Sequence, residues 1–236
     1  MKVIGISDIH GYLPELPSCD VVCIAGDILP LEIQRNFKAS WVWLLEDFTN
    51  WANALDCKHV VFIAGNHDFV FSECGGLGMD MRNLWKDSNK IHYLQDSSIE
   101  IDGFKFYGTP WIPVLCGWAF YLDSARLTDK FNEIPNCDVL LTHCPPRLNN
   151  AGKVLQAGYN YGRDFGCEEL RIALRDRDVK WALSGHVHSG EHDVTYYDHT
   201  ILSGPHTSKI ISTNIVNVSI KDEDYKVTYK PFEFEL

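Results

Sequence analysis

The sequence lacks an apolar run long enough to cross a membrane, although hydrophobic residues make up 45% of its 236 residues. Its first ten residues also lack the apolar core of a signal peptide, because Asp8 and His10 fall within them. Eight cysteines are present, but no two have the C-x-x-C spacing. These absences predict a cytoplasmic protein with reduced thiols and no membrane-spanning segment.

Basic residues are also scarce: 21 lysines and arginines stand against 32 aspartates and glutamates, which gives a net charge of −11. This balance argues against nucleic acid as a partner, since that binding depends on basic surfaces that neutralise phosphates. A small anionic substrate remains compatible with the charge if metal cations lie in the site. The glycine-rich stretch GGLGMD at 75–80 lacks the Gly-Lys-Ser/Thr ending of a phosphate loop, so we interpret it as a plain loop.

No linker, short repeat or low-complexity segment divides the chain, and we therefore expect a single domain over residues 1–236. The apolar runs KVIGI, VVCIA and VVFIA predict three strands, and a helix over 40–55 separates the last two, with Ser40 as its N-cap. The stretches IHYL, SIEI and FKFYG indicate antiparallel hairpins, as does the tail from TILSG to YKVTYK. The predicted fold is α/β, with two packed sheets and helices outside. The apolar stripe of the helix comprises Trp41, Leu45, Phe48, Ala52 and Leu55.

Polar side chains follow five of the predicted strands at the point where each strand ends. Ligands of α/β sheets bind at the carboxyl ends of strands, so these side chains can converge on one crevice. Aspartate, asparagine and histidine are metal ligands, and residues at i and i+2 of an extended chain point to the same side. The blocks are SDIH at 7–10, GD at 26–27, GNHD at 65–68, TH at 142–143 and GHVH at 185–188.

The number of these ligands indicates a site for two metal ions. A single zinc site uses three or four protein ligands, whereas the blocks contain seven candidate ligands in addition to His67. A two-metal site with a shared carboxylate accommodates all of them. Glycines 26, 65 and 185 allow the backbone to turn sharply beside the ions. The candidate metal ligands are Asp8, His10, Asp27, Asn66, His143, His186 and His188.

In this order, the blocks DIHG, GDIL, GNHD, THCPP and GHVH resemble the calcineurin-like metallophosphoesterase superfamily. The stretches GTPWIP, GWAF and THCPP are similar to its small metallophosphoesterase-domain-containing branch. The resemblance implies a four-layer α/β/β/α sandwich with two mixed sheets. It also implies that Asp27 bridges two metals, and that His67 is the catalytic histidine beside the leaving group. The first metal would take Asp8, His10 and His188, and the second would take Asn66, His143 and His186.

The resemblance further implies hydrolysis of a phosphate ester by a hydroxide that bridges two divalent ions. The expected substrate is a small phosphodiester or phosphomonoester, such as a nucleotide or cyclic nucleotide. Oxygen and nitrogen ligands are compatible with manganese, iron, zinc or cobalt. His67 would donate a proton or stabilise charge, and Asp68 would support the turn or the imidazole. The sequence leaves the oligomeric state open.

Three alternatives stay open at this point. A phosphoprotein phosphatase would extend the second block to G-D-x-V-D-R-G, but the chain reads GDILPLE and so lacks the second Asp and the Arg. A non-catalytic scaffold would keep the fold without its chemistry, and the net charge disfavours a nuclease.

Cys144 is expected to be a packing residue. The long loop after the fourth block contains three basic residues, Arg147, Lys153 and Arg163. They could reach a substrate phosphate, or they could belong to a solvated loop. Arg35, which follows the second block, could replace the arginine of the G-D-x-V-D-R-G pattern that this chain lacks.

Overall fold

The computed structural model describes residues 1–148, 150–204 and 207–236. Its strands form a five-stranded sheet in the order β13-β1-β2-β3-β4 and a six-stranded sheet in the order β11-β12-β10-β9-β6-β5. The strands are β1 (Lys2–Ile6), β2 (Val21–Ala25), β3 (His59–Ile63), β4 (Ile91–Tyr93), β5 (Ser97–Ile101), β6 (Phe104–Thr109), β7 (Ile112–Pro113), β8 (Tyr121–Leu122), β9 (Cys137–Thr142), β10 (Val179–Ser184), β11 (Thr195–Gly204), β12 (Thr207–Asn217) and β13 (Phe232–Glu235). Strands β7 and β8 pair only with each other.

Helices cover the outer face of each sheet. The described helices are α1 (Phe37–Trp43), a π-helical segment (Leu44–Phe48), α2 (Thr49–Ala54), α3 (Phe69–Gly76), a 3-10 helix (Met81–Trp85), α4 (Ser124–Asn132) and α5 (Glu168–Leu174). Within this described part of the chain, no helix is both long and apolar enough to span a membrane.

Alternation along the strands builds three apolar layers. In β1, Ile4 and Ile6 face the helices of the first sheet, whereas Val3 faces the second sheet. Strands buried on both faces are apolar nearly throughout, as VVCIA and VVFIA are. A further cluster packs α4 and α5 on the outside of the second sheet, around Phe131 and Leu170. The predicted four-layer α/β/β/α sandwich with two mixed sheets is confirmed.

The predicted start of the first helix is wrong. Helix α1 begins at Phe37, and the side chain of Asn36 caps it by accepting the Ala39 N–H at 3.1 Å. Ser40 lies inside the helix, where its hydroxyl donates to the carbonyl of Ile33 at 2.8 Å. A short polar residue serves either role, so the local sequence does not separate a cap from an interior hydrogen bond.

The predicted apolar stripe also changes at the π-helical segment. Its wider turn inserts one residue into the helical repeat, so the buried face shifts by one position. Leu44 is consequently buried while Leu45 is 43% exposed, contrary to the prediction that Leu45 faces the core. Phe48 and Ala52 are buried as predicted.

Two of the predicted hairpins are wrong. The IHYL stretch forms β4, which pairs in parallel with β3 in the first sheet, and the chain then crosses to the second sheet. Only β5 and β6 form the antiparallel hairpin there. In the tail, β11 and β12 pair as predicted, but YKVTYK forms only a single bridge between Lys221 and Val227. The last strand is instead β13, antiparallel to β1.

Candidate metal centre

The structure brings the seven candidate ligands to one rim, formed by the carboxyl ends of the parallel strands. Asp8 and His10 follow β1, and Asp27 follows β2. Asn66 follows β3, and the remaining three histidines follow β9 and β10. All seven are buried except His186, which is half-buried. Parallel pairing explains the convergence, because it places these strand ends at the same edge of each sheet.

Four of these residues have a backbone conformation that is costly for anything but glycine. The φ angles are +55° for Asp8, +41° for His10, +54° for Asp27 and +67° for His186. Non-glycine residues in the left-handed region cost about 1–3 kcal/mol and concentrate at functional sites. The fold therefore keeps strained turns at this rim, where they direct the side chains towards a common point.

Asp27 lies at the centre of the cluster. Its Oδ2 is 3.3 Å from His143 Nε2, 3.8 Å from His67 Nε2 and 3.9 Å from His10 Nε2. Asp8 Oδ1 lies 3.3 Å from His188 Nε2. A carboxylate that faces several ligand nitrogens can be shared between two cations.

Asn66 joins the two histidine-bearing strand ends. Its Oδ1 is 2.9 Å from His143 Nε2 and 2.8 Å from His186 Nδ1. The amide oxygen is a neutral ligand, so it completes a donor set without adding a further charge. These three side chains therefore form a second group of oxygen and nitrogen donors next to Asp27.

His10 tests whether a cation fits this arrangement. Its ring is buried, and neither Nδ1 nor Nε2 has a hydrogen-bond partner among the described residues. Buried polar atoms are normally satisfied, and leaving one unsatisfied costs about 1–3 kcal/mol. Ligand atoms of Asp8, His10 and His188 lie within 4.8 Å of one another, as do those of Asp8, Asp27 and His143. The donor set thus fits divalent cations.

The two buried carboxylates and their histidine partners shift each other's pKa. Burial lowers the pKa of His143, but the Asp27 carboxylate outweighs it and raises that pKa to about 9. Burial also lowers the pKa of His188, but the Asp8 carboxylate outweighs this effect and raises that pKa to about 9. Burial of His10, only partly opposed by Asp27, lowers the pKa of that ring to about 3. Without cations, protons on two histidines therefore balance the two carboxylates.

The metal-free protein should lose stability as the pH rises from about 7 to about 9.5. A histidine whose pKa is raised on folding binds more protons when folded. Its stabilisation is therefore complete below the ordinary pKa of 6.5 and is lost as the pH rises through about 9. After chelator treatment, we expect Tm to fall by at least about 5 °C over this range, measured by calorimetry.

With zinc added, Tm should instead rise as the pH rises, because metal ligation requires unprotonated imidazole. The variant His188→Gln should show a smaller pH-dependent fall than the unsubstituted metal-free protein. An unchanged or rising Tm in the metal-free protein would contradict the assignment of these protons.

Backbone carbonyls orient two of the candidate ligands. His143 Nδ1 lies 2.9 Å from the Ala25 carbonyl, and His188 Nδ1 lies 2.8 Å from the Asp222 carbonyl. Since a carbonyl only accepts, each Nδ1 donates and each Nε2 faces the carboxylates. Such outer partners fix the tautomer and orientation of metal-binding histidines.

Asp68 supports the backbone of the rim rather than the neighbouring imidazole. Its carboxylate accepts backbone N–H groups from Gly65 at 2.8 Å, Leu29 at 2.9 Å and Ile28 at 3.0 Å. Burial and the nearby Asp27 charge raise the pKa of Asp68 to about 7 despite these bonds. Asp68 thereby ties the loop after β2 to the loop after β3.

Two glycines allow the rim segments to approach each other closely. A Cβ on Gly65 would collide with the Asp27 carboxylate and with its backbone nitrogen. A Cβ on Gly185 would collide with the side chains of Asp8 and Ser7. The carboxylates thus occupy space that a side chain at either position would fill. Of the three glycines expected to turn the backbone sharply, Gly26 is the one with a positive φ, at +97°.

A cavity of about 280 Å³ lies over the cluster. Its floor includes Asp27, Asn66 and His67, and aromatic rings contribute to its walls. Sequence reasoning did not single out several wall residues, because they are not part of the metal-ligand pattern. Trp118 and Val187 lie within the quoted stretches GWAF and GHVH, but those stretches do not indicate that these side chains line a cavity. The missed residues are Leu115, Trp118, Val154, Asn160, Phe165, Val187, Glu223 and Tyr225.

His67 lies at the cavity floor and has a partner that the sequence did not reveal. Its Nδ1 is 2.6 Å from Gln34 Oε1, and its ring centroid is 4.3 Å from that of Trp118. A glutamine in a polar turn gives no local signal of this contact. Arg35, which could have replaced the missing phosphate-binding arginine, instead lies over Phe69 and donates to the Gly117 carbonyl at 3.0 Å.

The basic residues of the long loop after β9 bind within that loop. Arg147 pairs with Asp164 at 3.6 Å, and Arg163 donates to Asn160 Oδ1 at 3.0 Å. Neither arginine lines the cavity within the described part of the chain, nor does Lys153. The solvated-loop interpretation therefore agrees with their positions.

Cys144 packs as expected of a small buried residue. It belongs to the outer core of the second sheet, and its Sγ lies 3.5 Å from the Trp111 carbonyl. All eight cysteines are free thiols.

The histidines outside the motifs make structural contacts. His59 Nδ1 lies 3.1 Å from His92 Nε2, and His192 and His199 bind backbone carbonyls at 2.9 Å. His206 lies outside the described residues.

Comparison with known proteins identifies the family of this chain. The sequence profile of the calcineurin-like phosphoesterases matches residues 1–190, which contain all seven candidate ligands and His67. The chain belongs to the calcineurin-like phosphoesterase family. The predicted resemblance is confirmed, and a phosphoesterase family that binds divalent metals accounts for the donor set at the rim.

Two curated proteins are similar to this chain over most of its length. Human metallophosphoesterase domain-containing protein 1 is 29% identical over 213 residues, covering 80% of this chain and 61% of the relative. A UPF0046 protein of Caenorhabditis elegans is 32% identical over 223 residues, covering 80% of this chain and 52% of the relative. The chain thus spans about half to three fifths of these relatives. The fold is also similar to that of a solved crystal structure, with a TM-score of 0.61 and 15% sequence identity. The match covers 92% of this chain and 89% of the chain in that structure.

Proposed function

We propose that this phosphoesterase hydrolyses a phosphodiester of a small molecule, with two divalent cations at the candidate ligands. The main support is the cavity over the cluster: among its described lining residues there is no lysine or arginine, and Glu223 adds a carboxylate. A phosphomonoester carries close to two negative charges at neutral pH, whereas a diester carries one. Without a cationic side chain to neutralise the second charge, the cavity favours the diester.

Different residues of the rim would bind the cations and donate the proton. Asp8, His10 and His188 would hold one cation, Asn66, His143 and His186 the other, and Asp27 would contact both. Manganese, iron, zinc or cobalt bound there would act as Lewis acids on phosphoryl oxygens and acidify a water molecule. His67, whose Nε2 lies 3.8 Å from Asp27 Oδ2, would donate a proton to the departing oxygen.

A nucleotide or cyclic nucleotide is a substrate class that suits the walls. Trp118, Phe165 and Tyr225 present aromatic rings around the opening, and Leu115 and Val154 add apolar surface. Flat aromatic groups stack on such rings, and the apolar surface helps to exclude water. The volume of about 280 Å³ accommodates a small substrate.

The absence of cationic side chains also weakens the phosphoprotein phosphatase alternative. That activity would use an arginine in the second block, but the chain reads GDILPLE there. Arg35 follows in the same loop, and its guanidinium is occupied by Gly117 and Phe69.

Turnover of two matched substrates tests the proposal. With manganese added, kcat/KM for bis(4-nitrophenyl) phosphate should exceed that for 4-nitrophenyl phosphate by at least about tenfold. A preference for the monoester would contradict the diester assignment. No turnover of either substrate with manganese, zinc, cobalt or iron would overturn the proposed hydrolase. Elemental analysis should find about two ions per chain in the hydrolase, and finding none would contradict the proposed metal site.

A further inference from the structure

The short contact between His67 and Gln34 determines which ring nitrogen faces the cavity. Gln34 Oε1 lies 2.6 Å from His67 Nδ1, and an amide oxygen can only accept a hydrogen bond. Nδ1 must therefore donate. Nε2, the other ring nitrogen, is the atom next to the Asp27 carboxylate and the cavity floor.

Ring contacts hold the imidazole in place without selecting its orientation. The His67 ring centroid lies 4.3 Å from Trp118, 4.7 Å from His10 and 6.2 Å from Tyr225. Such packing limits the tilt of the ring. A half-turn about the bond between Cβ and the ring would exchange Nδ1 with a carbon and leave these contacts nearly unchanged. Only a directional hydrogen bond such as that of Gln34 opposes the half-turn.

The turn that carries Gln34 is itself anchored. The Gln34 N–H donates to the Pro30 carbonyl at 3.1 Å, and the Ser40 hydroxyl donates to the Ile33 carbonyl at 2.8 Å. Arg35 donates to the carbonyl of Gly117, the residue before Trp118. The hydrogen bond of Arg35 therefore connects the turn that contains Gln34 to the segment that contains Trp118. Both of these residues contact His67.

Gln34 lies behind His67 and is not among the described residues that line the cavity. It can therefore act on a substrate only through His67. It also supplies a hydrogen-bond acceptor without a charge.

We propose that Gln34 is a positioning residue that fixes His67 with Nδ1 protonated and Nε2 towards the cavity. This inference rests on the proposed function. In the step concerned, His67 is an imidazolium with a proton on each ring nitrogen. The bond between phosphorus and the leaving oxygen breaks, that oxygen keeps the electron pair and takes the Nε2 proton, and the ring is left neutral with Nδ1 still protonated. The attacking water supplies the proton that restores His67. A misoriented imidazole would present carbon to the leaving oxygen and could not donate.

The leaving group distinguishes this role from a structural one. Gln34→Leu should lower kcat for methyl phenyl phosphate by about 10–100-fold, but for methyl 4-nitrophenyl phosphate by less than about threefold. A good leaving group departs without a proton, so it does not need a positioned donor. Gln34→Glu keeps the acceptor oxygen and should retain most of the turnover of both esters. Glu32→Leu changes an exposed side chain of the same turn and is the matched control.

A second measurement is independent of turnover. In the zinc-loaded protein at about pH 8, the ¹⁵N shifts of His67, assigned with His67→Gln, should show a protonated Nδ1. In Gln34→Leu, the form protonated at Nε2 should become populated. Equal loss of kcat for both esters, or the same tautomer in both proteins, would overturn the role of Gln34. If the unsubstituted protein cleaves no ester, the proposed function fails, and the ¹⁵N shifts still decide the positioning.

Discussion

Replacing Asp27 by asparagine should abolish phosphodiester hydrolysis and release bound cations. Asp27 Oδ2 faces ring nitrogens of His143, His67 and His10 at 3.3–3.9 Å, so the substitution removes the negative charge at the centre of the cluster. We expect kcat/KM to fall by more than about a thousandfold, beyond the 10–100-fold typical of outer-shell partners. Elemental analysis should find clearly fewer than about two ions per chain.

Asparagine is the sharpest substitution here because it keeps the shape of the site. It tolerates the left-handed backbone at φ +54° better than most residues. Its amide oxygen can also still accept the His67 backbone N–H, which Asp27 Oδ1 accepts at 2.8 Å. Asp129→Asn, an exposed change on α4, controls for the loss of one charge. Full activity with normal metal content in Asp27→Asn would rule out Asp27 as the shared ligand.

His67→Gln should separate catalysis from metal binding. His67 is not among the seven candidate ligands, and a proton donor of this kind contributes typically about 10²–10⁴-fold to the rate. We therefore expect kcat for methyl phenyl phosphate to fall within that range, while metal content stays at about two ions per chain. Steady-state kinetics and elemental analysis on the same preparation test both statements.

The position of His67 makes a metal role the competing explanation. Ligand atoms of His10, Asp27 and His67 also lie within 4.8 Å of one another, so a cation could reach it. Loss of metal in His67→Gln would show that it is a ligand and contradict its assignment as the proton donor. His59→Gln, at the amino-terminal start of β3 and away from the rim, is the matched histidine control.

The chemistry of the rim was predictable from short stretches of sequence. Each block of ligands directly follows an apolar strand, so the identity of the residues and their place at a strand end are both local properties. The spacing of Asp8 and His10, or of His186 and His188, needs no knowledge of distant segments. The residues of the site could therefore be named before their positions were known, although their role as ligands remains a prediction.

The strained backbone at the same residues could not be predicted. Nothing in the stretch SDIH requires Asp8 and His10 to take positive φ, because the cost is offset by contacts with other segments. The backbone N–H of His186 donates to Asp8 Oδ2 at 3.1 Å across 178 positions of sequence. A local pattern cannot contain such a pairing.

Helix faces and sheet membership were determined by packing in the same way. An apolar residue at either position 44 or 45 satisfies the helical pattern, and only the π-helical turn makes Leu44 the buried one. The stretch IHYL has the composition of any short strand, and its pairing with β3 depends on which sheet edge it reaches.

The amino-acid order alone thus specified the class of fold and the residues of the candidate site, because both arise from neighbouring residues and strand-scale periodicity. The assembled fold decided what surrounds that chemistry: Gln34 behind His67, Trp118 beside it, and Glu223 and Tyr225 at the cavity. These residues come from separate loops, and even the stretch GWAF, which contains Trp118, does not indicate that this ring lies beside His67. Their contacts form only when loops from separate elements pack together.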